Sequence, residues 1–193
     1  MTGLRTQIGR LLVLATALLL TGFPALAQGN GTAITVMAQA QSSIQVTFAS
    51  VWLGCTLTPA PDYTNVILNL GTFDNNGTNN GCAWYFQNNP SAGHYTISSG
   101  FNVQVDKFNS GSTSYTASVR LQSPPPGPAT AVIYRIRQGL FGALTTLTTT
   151  PQPVITGGTY GNGVLQVLSV EVDTTIAPTG MISRTIEYTA VAN

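Results

Sequence analysis

From Ile34 to Phe48 the chain alternates: Ile34, Val36, Ala38, Ala40, Ser42, Ile44, Val46 and Phe48 are separated by Thr35, Met37, Gln39, Gln41, Ser43, Gln45 and Thr47. A period of two is wrong for an amphipathic helix, whose apolar stripe recurs about every 3.6 residues. It fits a strand with one face against a core. At about 3.3 Å per residue such a strand would run ~50 Å, roughly three times the usual length. Residues 32–48 therefore have two options. They bend at the small residues Ala38 to Ser42 and pass from one sheet to another, the commoner device in sandwiches. Alternatively they project from the domain, and Ile34, Val36, Ala38 and Ala40 complete the sheet of a neighbouring copy.

Shorter runs of the same kind predict strands over 65–70, 84–87, 101–108, 114–121, 131–136, 144–149, 164–173 and 182–192. Asn75-Asn76-Gly77, Asn79-Asn80-Gly81, Asn89-Pro90, Ser110-Gly111, the proline cluster from Pro124 to Pro128, Gly157-Gly158 and Asn162-Gly163 separate them. Each supplies a positive φ or a proline-fixed φ, and no segment carries a helical stripe. Evenly spaced short strands with such turns predict an all-β fold, an immunoglobulin-like antiparallel β-sandwich. The last two runs, with Leu168, Val170, Val172 and Ile186, Tyr188, Ala190 on apolar faces, are expected to pair as a hairpin through 174–181. Arg184, on the apolar face near a strand end, is expected to lay its stem on the core rim.

The N-terminus sets the compartment. Arg5 and Arg10 precede the apolar run from Leu11 to Phe23, and Pro24-Ala25-Leu26-Ala27 forms a small-residue cleavage site, the pattern of a secretory signal peptide at 1–27. Thirteen apolar residues fall short of the ~20 needed to cross a bilayer. Cleavage would leave residues 28–193 as a single domain, with no membrane span and five basic against six acidic residues. So few cations, without clusters, exclude phosphate-backbone binding and hence nucleic acid as a partner. Only 7% of residues are charged, against about 25% ordinarily, so Thr, Ser, Asn and Gln carry the surface, and such surfaces repel one another weakly. Export to the extracellular space, the cell surface or a periplasm also places Cys55 and Cys82 in an oxidising medium. A Cys55–Cys82 disulfide is expected, closing a loop that stabilises the fold by about 3 to 4 kcal/mol.

The sequence offers little chemistry. His94 is the one histidine, it accompanies no G-x-S-x-G turn, and it is expected to be a solvated loop residue. Glu171, Asp173 and Glu187 could form paired carboxylates in the expected hairpin but also suit outward, solvated positions. Two cysteines and one histidine cannot make a four-ligand zinc site, Asp74-Asn75-Asn76-Gly77 lacks the ligands of a calcium loop, and no cofactor or metal is expected. Asn30-Gly31-Thr32 and Asn76-Gly77-Thr78 fit the short glycosylation pattern. Lys107, the only lysine, follows Phe101, Val103 and Val105 and would either snorkel to water or, if buried, serve an intramolecular isopeptide crosslink. No catalytic residue emerges, and the chain is expected not to be an enzyme.

Aromatic residues gather by the cysteines: Trp52 precedes Cys55, while Trp84, Tyr85 and Phe86 follow Cys82. The bridge would bring them together, either as core packed against the disulfide, the usual fate of large aromatics, or as a flat face for sugar rings. The leader, the alternating first strand, the two cysteines and the closing strand from Ile182 to Asn193 resemble secreted bacterial surface proteins of the pilin-like or spore-coat-U-like kind. Chaperone-assembled fimbrial subunits usually carry a tyrosine next to last, whereas Tyr188 stands five residues before the end. The resemblance implies an immunoglobulin-like sandwich that polymerises by donating a strand. The expected function is structural or adhesive, with further copies of the chain as partners. The alternative is a carbohydrate-binding module that meets surface glycans through Trp52, Trp84 or Tyr85.

Overall fold

A computed structural model describes residues 31–39, 44–52, 54–59, 64–72, 81–89 and 93–193. The expected leader at 1–27, Asn30, Ala40, the Asn76-Gly77-Thr78 pattern and the side chains of Ala38 and Tyr85 lie outside the described part. Among the described residues there is no helix. The strands are β1 (Gly31–Gln39), β2 (Ile44–Ser50), β3 (Leu57–Thr58), β4 (Asn65–Thr72), β5 (Trp84–Asn89) and β6 (His94–Lys107). They continue with β7 (Tyr115–Leu121), β8 (Val132–Gln138), β9 (Thr145–Thr146), β10 (Gln152–Gly158), β11 (Val164–Asp173) and β12 (Ile182–Ala192). Sheet A has the order β10-β7-β12-β1-β4-β3; sheet B has the order β2-β6-β11-β8-β9, with β5 also paired to β6. The chain is an all-β sandwich.

The long alternating run divides between the sheets. β1 lies inside sheet A, parallel to β12 (Val36 opposite Ile186) and antiparallel to β4 (Val36 opposite Val66), whereas β2 pairs with β6 in sheet B. One parity serves both halves because each points its even-numbered residues into the space between the sheets, where Ile34, Val36, Ile44, Val46 and Phe48 are buried. The β1–β12 pair is the one parallel contact among the described strands.

The expected terminal hairpin does not form. β11 is flanked by β6 and β8 in sheet B, and β12 by β7 and β1 in sheet A. Residues 174–181 cross the sandwich instead. Leu168 and Val170 on one strand and Ile186 and Tyr188 on the other are fully buried from opposite layers, so a shared parity fits an arch between sheets as well as a hairpin within one. Phe48, Phe101 and Tyr188 meet edge to face across the layers, with ring centroids 5.4 to 6.3 Å apart. The Arg184 Nε donates to the Pro124 carbonyl at 2.7 Å, holding the proline-rich loop to β12.

Three buried tyrosines, Tyr115, Tyr134 and Tyr188, place their hydroxyls where no group among the described residues accepts a hydrogen bond, and both amide atoms of buried Gln166 are equally unpartnered there. Burial disfavours the phenolate, pushing the Tyr134 pKa up to about 12 and that of Tyr188 well above the ordinary value. The folded pKa therefore exceeds the unfolded value of about 10, so the contribution of these phenols is complete below that pH and is lost as pH rises toward 12. In an alkaline titration followed by phenolate absorbance and circular dichroism, the buried tyrosines should ionise only together with loss of β-structure. Independent ionisation of all seven tyrosines near pH 10, with the fold intact, would contradict this packing.

Candidate functional site

The disulfide region is built at a gap in a sheet edge. β6 is bordered along one edge by β11; on the other, β2 pairs with Phe101 to Lys107 and β5 with His94 to Ser98. Ser99 and Gly100 lie between these two partners, and the chain leaving β2 turns over them. The Cys55 amide donates to the Ser99 hydroxyl at 2.8 Å. Gly54 rests against the Gly100 backbone so closely that any side chain there would collide with the Gly100 carbonyl. Cys55 and Cys82 are bonded, and the bridge ties the exit from β2 to the start of β5 at the point where both strands stop.

The tryptophans beside the bridge are not core. Trp52 is 89% exposed and Trp84 is 37% exposed, which corrects the expectation that large aromatics here pack against the disulfide. The cause lies in the register. Trp84 is opposite Ser98, on the outward parity of β6, while Tyr95, Ile97, Phe101 and Val103 take the inward parity. From Trp84 a row runs straight across sheet B through Ser98, Ser169, Arg135 and Thr146. The Ser98 and Ser169 hydroxyls share a hydrogen bond at 2.8 Å, and Arg135 lies 3.1 Å from Glu171. An indole at one end, hydroxyls in the middle and an ion pair beyond give a surface that can stack on a ring and hydrogen-bond its substituents.

The carboxylates do not converge. Glu187 is buried on sheet A with its Oε2 2.7 Å from Arg120 Nη2; Glu171 pairs with Arg135 on sheet B; Asp173 lies 3.4 Å from His94 Nε2. Nearly complete burial of Glu187 departs from the expected solvated position, because the facing Arg120 lies over it. Two hydrogen bonds from Thr175, from its hydroxyl and its amide, hold the Asp173 carboxyl below its ordinary range, with His94 adding to the effect. His94 begins β6 and is exposed.

Lys107 is exposed rather than buried: its Nζ donates to the Ser112 carbonyl at 2.9 Å and lies 5.4 Å from the Tyr160 ring centroid. The isopeptide idea needed a desolvated amine and loses its basis. Around Lys107 the fold gathers Ser112 and Tyr160, a grouping invisible in the sequence because it spans three separate loops and strand ends. The Ser112 hydroxyl is committed to backbone oxygens of Ser114 and Asn193 at 2.6 and 2.7 Å, which makes this cluster a clasp for the last strand. Among the described residues no three His, Cys, Asp or Glu side chains are placed to hold a metal, and no helix is long and apolar enough to cross a membrane.

No family model and no curated protein matches the chain.

Because the bridge closes a loop of 27 residues, removing it should cost about 3.5 kcal/mol by chain entropy. A Cys55→Ser/Cys82→Ser variant compared with the oxidised protein in urea denaturation checks this. A midpoint unchanged by the double substitution would mean that the bridge has no role in holding β2 and β5 to β6.

Proposed function

We propose that this protein is a non-enzymatic structural or adhesive component of the cell exterior, exported by its N-terminal leader and assembling with further copies through β1. The observation that carries the reading is the position of β1. It lies between β12 and β4 and supplies two fully buried side chains, Ile34 and Val36, yet the rest of sheet A and all of sheet B come from residues downstream. A strand so placed can equally be contributed by a neighbour, which then gains both backbone ladders and the same core contacts. The outer edges offer less. β3 and β9 are two residues each, β10 carries Pro153 and ends in Gly157-Gly158, and the longer edge strands β2 and β5 each give an incoming strand one ladder where the place of β1 gives two. The oxidised cysteine pair supports an oxidising compartment.

Exchange of β1 is tested by a crosslink that reports which chain it belongs to. Thr35 and Ile67 are directly opposite on β1 and β4, a separation that suits a disulfide. Oxidation of a concentrated Thr35→Cys/Ile67→Cys protein should yield a ladder of dimers, trimers and longer species on a non-reducing gel. A fully formed crosslink confined to single chains at every concentration would rule out assembly by this strand.

The exposure of Trp52 and Trp84 favours a second reading, carbohydrate binding on the outer face of sheet B beside the disulfide. On a glycan array the processed protein should give hits that weaken in a Trp84→Ala variant. An array without signal, or with signal indifferent to that substitution, removes this reading.

A further inference from the structure

At the lateral edge opposite the disulfide, the β8–β9 hairpin and edge strand β10 border a cleft of about 510 Å³, within the usual range of small-ligand sites. Ile136, Arg137, Gln138, Gly142, Thr145 and Pro153 are among its walls. The loop between β8 and β9 has a shape that side chains would not permit. Gly139 has a φ of 66°, and Gly142 backs onto the Gln138 carbonyl so closely that a Cβ would collide with it.

Arg137 distinguishes this cleft. The other cationic side chains of the described residues are all engaged: Arg120 with Glu187, Arg135 with Glu171, His94 near Asp173, Arg184 with the Pro124 carbonyl, and Lys107 with the Ser112 carbonyl. Among the described residues Arg137 forms no ion pair, and its Nε, sealed from solvent, has no hydrogen-bond partner. A guanidinium held in this way is short of an acceptor, and its planar fork matches the two oxygens of a carboxylate. The surroundings define the rest of the ligand. Only one net charge awaits compensation, since Glu171 already neutralises Arg135, so a doubly charged phosphate would bring an anion without a cation. Ala143 and Pro153, both exposed, offer apolar contact, while Thr145 and Gln138 offer a hydroxyl and an amide.

We propose that this cleft binds a singly charged carboxylate on a compact body, with Arg137 taking the acid group and the Ala143 and Pro153 side chains packing against the body. The site is separate from β1 and from the Trp84 row, and stands or falls without them.

Calorimetric titration of the mature protein with glucuronate, cyclohexanecarboxylate, glucose and inorganic phosphate tests the assignment. At least one of the two carboxylates should bind, with glucose and phosphate silent. Glucuronate alone would indicate a sugar acid and cyclohexanecarboxylate alone an apolar acid, and either supports the proposal. Arg137→Gln should weaken binding by about 10- to 100-fold, the loss expected for a hydrogen bond to a charged group. Arg137→Lys keeps the charge without the fork, should also weaken binding, and serves if the glutamine variant does not fold. Lys107→Gln, at an exposed cation outside the cleft, should leave the affinity within a factor of about two, as expected for a residue outside the contact. Silence with both carboxylates, affinity indifferent to Arg137, or phosphate binding as tightly as the acids would overturn the proposal.

Discussion

Ile34 and Val36 fill the space beneath the middle of sheet A, and the backbone that carries them is the partner that both β12 and β4 need. Without it, two strands at the centre of the sheet would each lose a ladder of hydrogen bonds, and the apolar faces of Ile186, Val66 and Leu68 would open to water. Burying an Ile or Val side chain is worth roughly 1.5 to 3 kcal/mol. Together with the backbone ladders, β1 thus accounts for a large share of the few kcal/mol by which such domains are stable. The rest of the architecture is compatible with this dependence. The downstream strands already form both layers, and β1 completes one of them from the N-terminal side.

This arrangement links stability to assembly. An internal position gives an incoming strand two ladders and a core, whereas an edge gives it one ladder, and of the edge strands only β2 and β5 are both longer than two residues and free of proline and glycine. A surface poor in charge imposes little repulsion between copies. The disulfide acts on the other layer: it pins the junction of β2 and β5 on β6, so that sheet B remains ordered whichever chain supplies the first strand.

The alternation of apolar residues made most of this fold legible. It located β11 and β12 to the residue and gave β2 its inward face, while the cysteine count and the expected export made the two cysteines a pair, because each of these follows from local pattern or compartment. Three features were hidden, each for a physical reason. β10 contains Pro153 and ends in two glycines, so it reads as a loop; an edge strand tolerates both because one side of its backbone needs no partner. β6 starts at His94, not at Phe101, because Ser98, Ser99 and Gly100 interrupt the apolar run where neighbouring chain packs against the backbone. Parity cannot say whether β12 lies beside β11 or across from it, since both arrangements bury the same residues. The candidate sites were less legible still. Trp84 faces outward only because its register opposite Ser98 is fixed by the β5–β6 hairpin, and Arg137 becomes conspicuous only once every other cation among the described residues has found a partner.

The placement of β1 is most directly tested by nuclear Overhauser contacts in the isotope-labelled mature protein. The account predicts a parallel ladder joining residues 34–38 to 184–188, together with antiparallel contacts from 34–36 to 66–68. If residues 31–39 show no interstrand contacts and their amides exchange at the rate of an unstructured tail while β4 and β12 remain protected, β1 is not part of sheet A and the account fails.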